Sequence, residues 1–194
     1  MKRRKAKAAA LIVSFPLLLI ALAALLALPP KTAANSDIYF VGGPRSPSDD
    51  NSCISTCHPC ATIQGAIDKA TGGDEIRVYL GTYTETLVIA KALTLKGGYW
   101  LSAMGDCPDI ADVWSSGYST TVNDQAPGSG VVYASSNLDL SNFILTGGSY
   151  GGIFTSADIT ITDVTVRDNT GGPGIEVGGG NGADRKQHHR EQQQ

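Results

Sequence analysis

Positive charge is scarce where it would matter. Six of the 15 Lys and Arg lie in residues 1–34 (Lys2, Arg3, Arg4, Lys5, Lys7 and Lys31), with no acid among them. Residues 35–194 therefore carry nine cations against all 18 acids, a net charge of −9. Affinity for nucleic acid rests on Lys and Arg neutralising phosphates, so nucleic acid is excluded as a partner. Neutral glycans, cations or no partner at all suit such a surface. Helical patterning is nearly missing too. Beyond the N-terminus one apolar stripe of helical period occurs, Ile63, Ala66, Ile67 and Ala70, which predicts a helix over Thr62–Ala70. Thr62 is its expected N-cap, and Thr71-Gly72-Gly73 ends it. Hairpin signals are missing as well. No Asn-Gly or Asp-Gly joins the short apolar runs between residues 76 and 98, which argues against an antiparallel meander.

What is present begins with a targeting segment. Lys2 to Lys7 form a basic flank, and Ala8 to Leu28 follow without a charge. Thr32-Ala33-Ala34 offers small residues for cleavage before Asn35. The apolar run is long for a cleaved signal and reaches the ~20 residues that span a bilayer. Residues 1–34 are thus a signal peptide or an N-terminal membrane anchor. Either way the rest is exported, to the medium or the cell surface. Contact with a membrane is expected only through residues 8–28, if uncleaved. The 160 exported residues suffice for one domain with a core.

The strongest pattern is a repeat. Leu138, Leu140, Phe143 and Leu145 return 21 residues later as Ile159, Ile161, Val164 and Val166. Gly151-Gly152-Ile153 returns after 22 as Pro173-Gly174-Ile175. Two short apolar alternations and a Gly-rich bend per unit read as one coil of a solenoid. Ile38–Val41 reads as a strand and residues 42–51 as a loop. After Gly73 the period is 2: Ile76, Val78, Leu80, then Leu87 and Ile89, then Leu93 and Leu95, with Gly81-Thr82-Tyr83 as a turn and Gly97-Gly98 as a break. Residues 99–128 read as an excursion, with the repeat resuming at Gly130. Five or six coils are expected over residues 35–180. Residues 181–194 are a hydrophilic, patternless tail. It is either disordered, or marks a truncated or shifted reading frame. It cannot cap an open solenoid end.

Residues 59–99, PCATIQGAIDKATGGDEIRVYLGTYTETLVIAKALTLKGGY, resemble the N-terminal start of right-handed parallel β-helix proteins of the pectin-lyase-like group. Residues 144–177 resemble their later coils, with Asn169 at a turn. The resemblance covers residues 37–177. It implies an all-β, right-handed parallel β-helix with a short N-terminal capping helix. Members include pectate lyases, polygalacturonases, pectin methylesterases and surface proteins without assigned activity. The methylesterases share Gly81-Thr82-Tyr83-x-Glu85, read here as a structural turn that presents Glu85 outward.

No catalytic residue is assigned, because the acids Asp139, Asp158, Asp163 and Asp168 are scattered. Polysaccharide cleavage needs acids converging on one face, alone or with a base. Asp163, Arg167 and Asp168 come nearest, and read as a solvated turn with a local ion pair. No cofactor and no metal-ligand set is expected. Ca²⁺ is the ion that Asp49-Asp50-Asn51 or the aspartates near Arg167 would take, though neither has a recognised ligand spacing. Cys53, Cys57, Cys60 and Cys107 read as disulfides in an exported chain. Three pairings exist. Cys53–Cys60 with Cys57–Cys107 is preferred, since Cys107 would staple two distant loops. Zinc, a redox Cys57-x-x-Cys60 and haem attachment are the lesser readings of Cys53-x3-Cys57-His58-x-Cys60. Trp100 and Trp114 with Tyr99 form either a sugar-stacking platform or the seal of the excursion loop, together with Tyr118 and Tyr133. The expected function is an exported, non-catalytic module, structural or in contact with a polysaccharide or cell-envelope component. The alternative is a carbohydrate-active enzyme of the pectin-lyase-like group: a polysaccharide lyase, a glycoside hydrolase or a pectin methylesterase-like enzyme.

Overall fold

The β-branched and aromatic runs of this chain are two to eight residues long, too short to bury a face alone. They gain partners by winding. The computed structural model describes residues 36–100, 113–114 (backbone only) and 118–178. All lie in the unit Asn35–Gln194. The targeting segment 1–34, the tail 181–194 and Cys107 fall outside the described residues.

The chain opens with β1 (Ile38–Val41) and α1 (Ile63–Lys69). The first circuit is β2 (Glu75–Tyr79), β3 (Thr82–Tyr83) and β4 (Leu87–Ile89). The second is β5 (Leu93–Trp100), a side strand β6 (Val113–Trp114), β7 (Thr120–Asn123) and β8 (Val132–Ala134). The third is β9 (Leu138–Ser141), β10 (Phe143–Thr146) and β11 (Ile153–Thr155). The fourth is β12 (Ile159–Thr162), β13 (Thr165–Val166) and β14 (Ile175–Val177). Each circuit gives one strand to each of three sheets. Sheet A runs β1-β2-β5-β9-β12, sheet B β3-β7-β10-β13 and sheet C β4-β8-β11-β14. Every pairing among them is parallel except β5 with β6. The architecture is all-β, of stacked parallel sheets with one helix, and is compatible with a β-helix-like solenoid.

The sequence repeat is the strand register. Leu138 lies opposite Ile159 and Leu140 opposite Ile161; Leu145 lies opposite Val166 and Ile153 opposite Ile175. A side chain therefore stacks on its equivalent one circuit away, and like packs on like. The inward rungs form one core. Leu87, Leu95, Leu138, Leu140, Phe143, Leu145 and Ile153 are at most 1% exposed. The corner from sheet A to sheet B is a single left-handed residue, Asn142 (φ 60°) and then Asp163 (φ 52°), a conformation that Asn and Asp tolerate best among side-chain-bearing residues.

Three expectations are corrected. Gly97-Gly98 does not break the chain. β5 passes through both, and the register against β2 slips by one residue there. Gly98 (φ 76°) absorbs the extra residue as a bulge, and the Thr120 hydroxyl accepts its N–H at 2.9 Å. Thr82-Tyr83 is not only a turn, since it forms β3 and pairs with β7. The coil resumes at Thr120 rather than Gly130, because β7 already belongs to sheet B. Four circuits lie in the described residues, where five or six were expected.

Candidate functional site

The most exposed continuous apolar surface is the outside of sheet C. Its first three strands bury their outer two residues and turn the middle one out. Those middle residues stack in register: Val88 on Tyr133, Tyr133 on Phe154, Phe154 on Glu176. The Tyr133 and Phe154 rings lie 5.3 Å apart at 16°. Tyr150, 55% exposed, stacks on Phe154 at 5.9 Å and 21°. The Gly-rich bends make room for this stack. A Cβ on Gly130 would stand 2.6 Å from the Phe154 ring. The Gly130 N–H donates to the Tyr133 hydroxyl at 2.7 Å, holding that ring in place.

Beside the stack runs a groove of about 350 Å³, lined by Val88, Tyr133, Ser135, Phe154, Ser156 and Glu176 among others. The Ser135 and Ser156 hydroxyls are exposed along it. It joins an apolar floor to alternating hydroxyls and one carboxylate, with no cation among its lining residues. The sequence reading named only Tyr133 of this set. The signal was available: Val88, Tyr133, Phe154 and Glu176 are the outward members of successive alternations, at spacings that the repeat dictates.

The other aromatic group is divided. β5 and β6 pair so that Tyr99 faces Trp114 and Trp100 faces Val113 in the backbone register; the Trp114 side chain lies outside the described residues. Arg77 sits 5.4 Å above the Tyr99 ring. Trp100 is 40% exposed. The cleft that Tyr99 and Trp100 line with Phe40, Pro59 and Arg77 holds 20 Å³, room for about one water and not for a sugar ring.

The cysteines close the start of the coil. Cys53 and Cys60, both fully buried, form a disulfide. The Phe40 N–H donates to the Cys53 carbonyl, and the Cys60 N–H to the Phe40 carbonyl. The bridged loop thus covers the free edge of β1. Cys57 is disulfide-bonded too. Among the described residues no cysteine is free, so no thiolate there can serve zinc, redox chemistry or haem.

Glu85 corrects an expectation. It does not face solvent. Its carboxylate accepts the Ile63 N–H at 2.9 Å and the Gln64 N–H at 2.8 Å. Thr62 accepts the Gly65 N–H at 2.9 Å. Together they satisfy the first orphan donors of α1. Burial pushes the Glu85 carboxyl above the usual range; these two N–H bonds oppose that, and Asp49 adds to it. Asp49 is occupied as well, accepting from the Ala61 and Thr62 N–H groups and the Thr62 hydroxyl. Arg167 and Asp168 form an exposed ion pair at 3.1 Å. No cluster of three metal-ligating side chains occurs among the described residues.

No family model, curated protein or solved structure matches the chain. The geometry therefore carries the functional reading alone. Among the described residues no helix is long and apolar enough to cross a membrane.

Proposed function

We propose that the chain is an exported right-handed parallel β-helix of the pectin-lyase-like kind, and that it contacts a neutral polysaccharide through sheet C without cleaving it. The single observation behind the binding reading is the ring stack of Tyr133, Phe154 and Tyr150 beside a groove with exposed hydroxyls. Amphipathic sugar rings pack on aromatic surface and hydrogen-bond to flanking hydroxyls. A polymer also suits a flat, repeating surface. The groove carries Glu176 and the exported part is net acidic, so anionic polymers are disfavoured. Right-handedness follows the strong rule for parallel crossovers.

The test is titration calorimetry of the full chain with neutral β-linked glucan and xylan oligosaccharides, and with polygalacturonate with and without Ca²⁺. Neutral oligosaccharides should bind, and Phe154→Ala should weaken them by about threefold to tenfold. Failure of every neutral polymer to bind would overturn the reading. Calcium-dependent release of unsaturated product from polygalacturonate would replace it with the lyase alternative.

A further inference from the structure

The two ends of the coil are finished differently. The first circuit is closed. The Gln64 side chain acts as a substitute strand, accepting the Val88 N–H at 2.9 Å and donating to the Val88 carbonyl at 3.2 Å. Lys91 donates to the carbonyls of Ile67, Asp68 and Ala70 at the far end of α1. Cys60 bridges to Val41 along β1. The helix therefore covers the core from that side.

The last circuit is open. Among the described residues β12, β13 and β14 each pair on one side only. Ile159, Ile161, Val164, Val166 and Ile175 occupy inward rungs yet are only half-buried. Their equivalents one circuit earlier are fully buried. β12 reads Ile-Thr-Ile-Thr, with none of the charges or prolines that protect a strand edge. Residues 179–194 hold a single apolar side chain, Ala183, too little to fill five half-open rungs.

We propose that this edge is closed by a second copy of the chain, tail to tail about a twofold axis. The topology determines which strands meet. A twofold perpendicular to sheet A pairs β12 antiparallel with its own copy and keeps inward side chains inward. It reverses the sense of the circuit, so β13 meets β14 of the partner subunit. Arg167, 58% exposed just after β13, then approaches Glu176 of the partner subunit, and the same contact recurs by symmetry. Because α1 closes the other end, the assembly stops at two.

Sedimentation velocity of the full chain tests this, in a mild detergent that takes up the apolar run 8–28, across about two decades of concentration. A dimer is expected. Thr160→Lys should raise its dissociation constant at least about tenfold by charging the shared edge. Arg167→Glu should weaken it too, and adding Glu176→Arg in the same chain should restore it. Circular dichroism melts identify any variant that fails to fold; if Thr160→Lys does, the charge reversal and its rescue decide. A monomer throughout, a dimer indifferent to both changes, or open-ended oligomers would overturn the proposal. So would a monomer that dimerises only after deletion of residues 179–194, since the tail would then be the occupant.

Discussion

Acids at the head of the molecule work against one another. Burial pushes the Asp74 carboxyl up, but the N–H groups of Thr71 and Asp37, the Thr71 hydroxyl and the Lys91 charge hold it below the usual range. Burial likewise opposes Glu75, and Lys96 at 2.7 Å with Arg77 outweighs it. Asp49 is lowered in the same way, its burial outweighed by Thr62, Ala61 and Lys69. A carboxylate lowered by folding adds stability above its ordinary value and loses it as pH falls through the lowered one. Glu85 has the opposite sign: its raised carboxyl favours folding only at low pH, and this contribution is lost as pH rises through the raised value. Denaturant midpoints should therefore fall from pH 5 towards pH 2, as the three lowered acids protonate. Glu85→Gln keeps one acceptor at the α1 N-terminus and removes the opposing titration. Its stability relative to wild type should rise with pH across the Glu85 window; a constant offset would refute that. Glu85→Ala leaves two N–H groups without acceptors and should cost about 1–3 kcal/mol in urea unfolding.

At the scale of elements, depth in the stack decides cost. Leu140 in β9 is 1% exposed, with strands on both sides. Ile161, its register partner in β12, is half-buried. Leu140→Ala should lose about 2–5 kcal/mol and Ile161→Ala distinctly less; equal losses would mean that the last circuit is as well packed as the third. Much of this arrangement was legible in the sequence, because one constraint produced both. Residues that stack on their equivalents must recur at the circuit length, so the spacing of Leu138 from Ile159 stated the register before any coordinates. The α1 stripe and its Thr62 cap were readable for the same local reasons. What escaped was decided by contacts distant in sequence. Nothing near Gly97-Gly98 announces that Thr120 will hold a bulge there. Glu85 looked like an outward residue because its partners, the Ile63 and Gln64 N–H groups, lie 22 and 21 residues away. The groove was missed for a further reason. Attention to tryptophan favoured Trp100 and Trp114, while the outward positions of sheet C draw their aromatics from three different bends and strands.

For the whole molecule, the closed head and open tail imply a direction of failure. Hydrogen exchange in dilute samples should be fastest in β12–β14 and slowest in β5 and β9; strong protection at residues 175–177 there would contradict it. Reducing Cys53–Cys60 should uncover the β1 edge and lower stability by about 2–4 kcal/mol, read as a lower thermal midpoint. Identical melts with and without reductant would show that the loop holds β1 without the bridge. The register has one more consequence, for how such a chain can grow. Residues 138–158 are a whole turn of the coil, β9 to β11, and end where Ile159 begins the next on the rung of Leu138. Copying that block of 21 residues in tandem would add one storey and leave every other side chain facing as before. Copying 20 would turn leucines to water and threonines inward from that point on. Length in this molecule is thus a quantity that duplication can change in whole steps and in nothing smaller.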